Sequence, residues 1–157
     1  MESLPVPAAA GALAPLDHSH TRTFVLVGES SRTVGQGVTF PDGRTVLHSQ
    51  GGARIEQWAS VGDMTATYGP DTLIAWRDVD SGVSGRAPRR FVFERHTDVS
   101  GVSGTGTVVS GVLFSSGQAA LVWLGRSSSV VLWPDIDQAI AVHGHDGATT
   151  LRWVDER

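Results

Sequence analysis

Gly37-Val38-Thr39-Phe40 is repeated later in the chain as Gly111-Val112-Leu113-Phe114, and a glycine follows each copy, at Gly43 and Gly117. Further matches lie on both sides of this stretch and keep the same order: Phe24-Val25-Leu26 with Phe91-Val92-Phe93, Trp58 with Trp133, and Trp76 with Trp153. The matched residues are separated by roughly 65 to 80 positions, a drift that changes in loop length would produce. The sequence therefore predicts that one small structural unit occurs twice.

Both copies have the same order of predicted elements. Alternating apolar residues bounded by glycine turns predict four strands, then a helix, then a fifth strand. The predicted strands cover residues 24–29, 34–40, 45–49, 54–58 and 72–77 in the first unit, and 91–95, 107–114, 119–124, 129–133 and 148–154 in the second. Ser60 and Asp135 are expected to cap the two helices, which end at Gly69 and Gly144.

These elements define an α+β fold that is mostly β. We expect two duplicated five-stranded units, each an SH3-like barrel or a curved antiparallel sheet, with one short helix before the last strand. The predicted boundaries are a flexible Ala/Pro-rich arm over residues 1–20, a first unit over 21–78, a linker over 79–89 and a second unit over 90–157. Units of about 60 residues bury only a modest fraction of their surface. We therefore expect the units to pack against each other, or each to close into a barrel.

The composition limits the classes of function. The 157-residue chain has a formal charge of −4 and all its basic residues are arginine, so general nucleic-acid binding is not expected. The absence of cysteine excludes disulfides, thiolate zinc sites and cysteine nucleophiles. No apolar run approaches the roughly 20 residues that span a bilayer, and no basic start marks a secretory signal. We expect a cytoplasmic protein without membrane association.

The strongest candidate for chemistry is His143-Gly144-His145-Asp146-Gly147, between the second helix and the last strand. Two imidazoles and a carboxylate are suitable ligands for zinc or iron, so His143, His145 and Asp146 define one alternative, a metal-dependent enzyme. The ordinary interpretation is a helix end, where a histidine cation interacts favourably with the helix dipole. No nucleophile elbow or phosphate-binding loop occurs, and the sequence identifies no cofactor, no catalytic residue and no small-molecule substrate.

Two loops of the second unit form the predicted contact surface. The Gly/Ser-rich stretch 98–106 is longer than the matching turn of the first unit, and loops on a rigid β scaffold often carry binding residues. Together with the turn 143–147 it supplies the predicted site residues: Asp98, Ser100, Gly101, Ser103, Gly104, His143, His145 and Asp146.

A cluster of arginines supports a second alternative. Arg86, Arg89, Arg90 and Arg95 lie close together in the sequence, beside Phe91 and Phe93. A basic strand with aromatic residues is able to contact nucleic acid by pairing with phosphates and stacking on bases. The sequence therefore leaves open a nucleic-acid-associated regulator.

The second unit resembles small uncharacterised proteins of actinobacteria and their phages. The resemblance rests on DVSGVSGTG from Asp98 to Gly106, on Gly111-Val112 with Phe114, on a tryptophan strand, and on the pattern HGH-x-GAT from His143 to Thr149. It covers residues 90–155, approximately, and implies no particular activity. The absence of lysine and asparagine, which have AT-rich codons, agrees with a GC-rich genome.

These observations favour a module without enzymatic activity. We expect a protein-binding or structural module of an actinobacterium or its phage, acting through a protein partner or through self-association.

Overall fold

The computed structural model describes residues 17–52, 54–77, 87–98, 105–125 and 129–155. Within these ranges the chain forms two five-stranded antiparallel sheets, each with one α-helix. The first unit consists of β1 (Arg22–Val27), β2 (Thr33–Thr39), β3 (Thr45–Ser49), β4 (Ile55–Trp58), α1 (Val61–Tyr68) and β5 (Leu73–Trp76). The second consists of β6 (Arg89–Arg95), β7 (Gly106–Leu113), β8 (Ala119–Trp123), β9 (Val130–Trp133), α2 (Ile136–His143) and β10 (Thr149–Trp153).

The two sheets have the same topology. Their strand orders are β4-β3-β2-β1-β5 and β9-β8-β7-β6-β10, so the last strand of each unit returns to pair with its first. Corresponding residues also share their register: Phe24 pairs with Gly37 and Trp76, as Phe91 pairs with Gly111 and Trp153. The predicted duplication and the mostly β fold class are confirmed.

Both sheets are open. The first has β4 and β5 as its edges and the second has β9 and β10, so neither closes into a barrel within the described ranges. Of the two architectures that the sequence allowed, the antiparallel sheet is therefore the one formed.

Most of the predicted arm and linker lies outside the described residues. The end of the arm forms a 3₁₀ turn, His18–His20, capped by the carboxylate of Asp17.

Local signals place both helices. The Ser60 hydroxyl accepts a hydrogen bond from the Asp63 amide at 3.1 Å, and the Asp135 carboxylate accepts one from the Gln138 amide at 2.8 Å. Each bond satisfies an amide that the first helical turn would leave without a partner. At the end of α2, a side chain on Gly144 would stand 2.6 Å from the Ile140 carbonyl oxygen. The predicted caps and helix ends are thus explained by local geometry.

Each helix covers the outer face of its own sheet. Met64 of α1 packs with Phe24, Leu26 and Leu47, and Ala139 of α2 packs with residues of the second sheet that include Phe91. The inner faces of the sheets pack on each other through one apolar cluster: Val38, Phe40, Val46, Val112, Phe114, Ala120, Val122 and Leu124. Matching positions of the two units meet in this cluster, as they do across the interface of a symmetric dimer.

Polar contacts also join the two units. Thr21 and Ser110 share a buried hydrogen bond of 2.7 Å between their hydroxyl groups. The Gln36 side chain donates to the Ser115 hydroxyl at 2.6 Å and accepts from the Ser115 amide at 3.0 Å. Because such bonds require defined geometry, they fix how one sheet lies on the other.

Candidate binding site at the end of the second unit

The stretch 98–106 begins beside the end of the turn 143–147. The His96 amide, just after β6, donates to the Ala148 carbonyl at 2.7 Å, and the His96 ring lies 2.8 Å from the Thr150 hydroxyl. The turn His145–Gly147 leads directly into Ala148. The stretch that starts at Asp98 therefore leaves the sheet next to this turn. Ser100, Gly101, Ser103 and Gly104 lie outside the described residues.

His143 is the last residue of α2 and turns its ring inward. The ring centroid lies 5.0 Å from that of Trp123, 5.5 Å from that of Trp133 and 6.3 Å from that of Phe93. Both tryptophan contacts are edge-to-face, a favourable arrangement for aromatic rings. We call these four residues, Phe93, Trp123, Trp133 and His143, the aromatic cluster.

Three buried nitrogens at or beside the aromatic cluster have no hydrogen-bond partner among the residues that the structure describes. They are Nη1 of Arg95, Nε1 of Trp133 and Nε2 of His143. The Arg95 guanidinium is buried and lies 5.8 Å from the centroid of Trp123. Its Nε donates to the Thr149 hydroxyl at 3.3 Å, and its Nη1 lies 3.9 Å from the Asp98 carboxylate, too far for a hydrogen bond. Such groups are uncommon in folded proteins because burying them costs free energy.

The surroundings of His143 favour its neutral form. Burial lowers the pKa of His143 below its ordinary value, and the nearby charges of His145 and Arg95 lower it further. This is the opposite of the histidine cation that the helix-end interpretation pairs with the dipole. The imidazole therefore offers one N–H donor and one acceptor.

The corresponding residues that the structure describes in the first unit are hydrogen-bonded. Tyr68 stands where His143 does, and its hydroxyl donates to the Glu56 carboxylate at 3.1 Å. Trp58, the counterpart of Trp133, donates from Nε1 to the Thr67 hydroxyl at 3.1 Å. The unpartnered nitrogens at this position are thus a property of the second unit, although its fold is the same.

The other residues of the turn face solvent. His145 and Asp146 are exposed and adopt positive φ angles of 46° and 53°. Among the described residues no group of three His, Cys, Asp or Glu side chains is placed to hold a metal ion. The structure therefore does not bring His143, His145 and Asp146 together as a ligand set.

Two exposed residues of α2 are apolar where the matching residues of α1 are polar. Ile140 and Val142 are 38% and 55% exposed. Counting from each helix start, the matching residues of α1 are Thr65 and Thr67. Both residues lie within a few positions of the turn His145–Gly147, and because residues two apart on a helix project to different sides, they flank the helix end separately. The second unit therefore presents apolar and unpartnered polar groups at one end.

The predicted arginine cluster does not form one basic surface. The Arg89 guanidinium stacks on Trp153 at 3.7 Å, and Arg90 forms an ion pair with Asp155 at 2.9 Å. Arg95 is buried. Neighbouring strand residues point to opposite faces, so Arg89 and Arg90 lie on different sides of the sheet. Arg86 lies outside the described residues.

Residues 88–155 match the sequence profile of a protein family described as Acb5 phage protein. The match covers the second unit and leaves the first outside it. The second unit is therefore similar to a family of phage proteins, while the actinobacterial part of the resemblance stays a prediction. No curated protein and no solved structure matches the chain. Neither described helix is long and apolar enough to cross a membrane.

The sequence did not indicate Arg95, Trp123 and Trp133 as parts of the site. From sequence, Arg95 belongs to a basic cluster, Trp133 stands out only as the match of Trp58, and Trp123 does not stand out at all. One available signal was the difference between the units: tyrosine and serine stand in the first where His143 and Trp123 stand in the second. Differences at matching positions of a duplicated fold indicate where one copy has acquired its own role.

Proposed function

We propose that the chain is a phage-related, non-enzymatic binding protein that contacts a protein partner through the end of its second unit. The contact surface consists of the exposed side of α2 and the turn after it, together with the start of the 98–106 stretch. The single observation that carries this proposal is the set of unpartnered nitrogens on Arg95, Trp133 and His143.

The chemistry of this surface suits a particular kind of partner. Arg95 and Trp133 are donors only, so they require oxygen acceptors. Ile140 and Val142, near the end of the helix that carries His143, favour an apolar contact. A protein segment that combines a carboxylate with apolar side chains would satisfy both.

The two other functions receive less support. The metal-dependent enzyme needs His143, His145 and Asp146 to converge, and among the described residues no three such side chains are placed to hold a metal ion. The nucleic-acid-associated regulator needs a continuous basic surface, and the described arginines are divided between two faces. We therefore propose neither.

The test compares one double variant with a matched control. Ile140→Thr with Val142→Thr gives α2 the residues of α1, and Leu73→Thr changes a residue of the first unit that is 58% exposed. Chemical crosslinking in infected cells, followed by mass spectrometry, identifies the partner, and titration with that partner measures affinity. We expect the double variant to weaken binding at least tenfold and the control to leave it unchanged.

Self-association is checked in the same preparations by sedimentation equilibrium. A monomer at all concentrations with no crosslinked partner would show that the proposal is wrong. Equal affinities of the double variant and the control would show that the contact lies elsewhere. Urea unfolding of each variant confirms that it is folded before its binding is interpreted.

A further inference from the structure

The last strand of the first unit, β5, is a sheet edge made only of apolar residues. It reads Leu73-Ile74-Ala75-Trp76, and within the described ranges no strand pairs with its outer side. Leu73 is 58% exposed, the largest exposed fraction among the large apolar residues that the structure describes. Because a strand edge presents backbone donors and acceptors, an exposed apolar edge is a template for pairing with another strand.

The pairing of β5 with β1 determines which backbone groups face outward. The Arg77 amide donates to the Thr23 carbonyl at 3.0 Å, in register with the rest of the strand pair. In an antiparallel pair, residues that exchange backbone hydrogen bonds alternate with residues that do not. The odd-numbered residues of β5 therefore bond to β1. The amide and carbonyl groups of Ile74 and Trp76 point away from β1, toward the open edge.

Each of the other three edges in the two described sheets contains or adjoins a residue that discourages such pairing. β4 contains Glu56 and β10 contains Arg152, and both side chains form ion pairs. Pro134, which has no amide hydrogen, directly follows β9. Charged residues and prolines commonly protect sheet edges. Neither kind occurs between Leu73 and Trp76.

We propose that the chain forms a two-fold symmetric dimer in which β5 pairs antiparallel with β5 of a second copy. The sheets of the two first units then join into one continuous sheet. Such a contact uses the same surface on both copies, and two-fold dimers are the commonest closed assemblies of identical chains. β5 belongs to the first unit, whereas the surface proposed above for a partner belongs to the second, so the two proposals are tested separately.

The sequence of β5 is complementary to itself about a two-fold axis at Ile74. Each Ile74 then exchanges backbone hydrogen bonds with Ile74 of the second copy, and each Trp76 amide faces the Thr72 carbonyl of the second copy. Large side chains lie opposite small ones, because Leu73 faces Ala75 and Trp76 faces Thr72. Side chains directly opposite each other supply much of the stabilisation of a strand pair. The strand therefore suits a second copy of itself as its partner.

The charges that flank β5 also fit this register. Asp71 and Arg77 stand on either side of the strand, and both are exposed. The two-fold axis aligns Asp71 of one copy with Arg77 of the other, and opposite charges on facing positions of a strand pair are favourable. Arg77 also lies 3.0 Å from the Asp155 carboxylate, and the five N–H donors of a guanidinium allow both contacts. No like charges face each other from residue 71 to residue 77 in this alignment.

Sedimentation equilibrium of the intact chain over a wide range of protein concentrations measures dimerisation. We expect the wild type to dimerise, and Leu73→Lys to raise the dissociation constant about tenfold or more because it brings a charge into the strand contact. Leu132→Lys is the matched control, because Leu132 is a 39% exposed leucine on the edge strand β9. It should leave dimerisation unchanged. Asp71→Arg should weaken the dimer as well, since it places like charges opposite each other.

Amide hydrogen exchange locates the contact. The amides of Ile74 and Trp76 should exchange more slowly as the wild-type concentration rises, and Leu73→Lys should abolish this dependence. A wild type that is monomeric at every concentration would overturn the proposal, as would equal dissociation constants for Leu73→Lys and Leu132→Lys. A dimer that only Leu132→Lys weakens would place the contact on β9 and would also overturn it. Circular dichroism checks that each variant is folded, and Asp71→Arg decides the outcome if Leu73→Lys is not.

Discussion

The ring of Phe24 covers the α-carbon of Gly37, its partner across the sheet, so closely that no side chain fits there. Phe91 covers Gly111 in the same way in the second unit. Each phenylalanine also meets a tryptophan of the last strand edge-to-face, at 5.2 Å for Trp76 and 5.8 Å for Trp153. The glycines of the repeated stretch are therefore required by packing.

Alanine at Gly37 or Gly111 should destabilise the protein. The added methyl group would overlap the phenylalanine ring, and the resulting overpacking costs about 1–3 kcal/mol in free energy of unfolding. Gly62→Ala in α1 is the control, because the nearest atom lies 3.6 Å from the added carbon and alanine favours a helix. Urea unfolding measures all three variants. Equal stabilities of Gly37→Ala and Gly62→Ala would contradict the packing argument.

Stability should depend on the protonation of His143. Burial lowers the pKa of His143 in the folded protein, so the unfolded chain binds a proton at higher pH than the folded one. The free energy of unfolding therefore falls as pH drops below about 6.5, until the folded pKa is reached. His143→Phe should remove up to about 1 kcal/mol of this loss between pH 7.5 and 5.5. The exposed His145→Gln variant is the control, and parallel pH profiles of His143→Phe and wild type would refute the assignment.

Asp155→Asn should destabilise the protein far more than a surface charge change does. The Asp155 carboxylate is 5% exposed and binds both Arg77 and Arg90. Breaking a buried ion pair costs about 3–5 kcal/mol, and we expect about 2–3 kcal/mol because both arginines are partly exposed. Glu94→Gln, which breaks the exposed pair with Arg152, should cost less than about 1 kcal/mol. Thermal and urea unfolding compare the two variants.

The same carboxylate should contribute to acid sensitivity. Burial alone would raise the pKa of Asp155, but hydrogen bonds from Arg90 and the charges of Arg90 and Arg77 outweigh it, and the pKa lies below its ordinary value. Its contribution is therefore present above the unfolded pKa, near 3.9, and is lost as pH falls through the folded pKa. Acid unfolding should be less steep in Asp155→Asn than in wild type. An unchanged acid profile would show that other carboxylates control this transition.

The hydrogen bond between Thr21 and Ser110 should couple the two units energetically. Removing one hydroxyl leaves the other buried without a partner, which costs about 1–3 kcal/mol. Thr21→Val with Ser110→Ala removes both groups, so the double variant should be more stable than the sum of the single effects implies. Strictly additive losses in urea unfolding would mean that this contact does not hold the units together.

Local chemistry made much of the fold predictable. Ser60 and Asp135 cap their helices through bonds to residues three positions on, so a short window of sequence contains the whole signal. The glycine turns and alternating apolar residues placed the strands for the same reason. The register of each sheet then follows, because a slip by one residue would turn every core side chain to the wrong face.

The candidate binding site depends on contacts between residues that are far apart in the sequence, and a short stretch of sequence does not contain them. Arg95 and His143 are far apart in the sequence, and the fold brings them together between β6 and the end of α2. The sequence draws attention to His143 through its neighbours His145 and Asp146, whereas its ring contacts Trp123, Trp133 and Phe93. The packing of Phe40 and Phe114 in one apolar cluster is not predictable from sequence either, because the sequence does not indicate which faces of the two sheets pack together.

The apolar inner faces have a consequence for how such a unit exists in the cell. A chain with only one unit would leave Val112, Phe114 and Val122 in water until it met a second molecule, so its stability would rise and fall with its own abundance. In this protein both units belong to one chain, so each second unit has a first unit to pack against at any protein concentration. Because the two units are covalently connected, their packing does not depend on protein concentration. The connection also allows the two units to differ in sequence, whereas the subunits of a homodimer are identical.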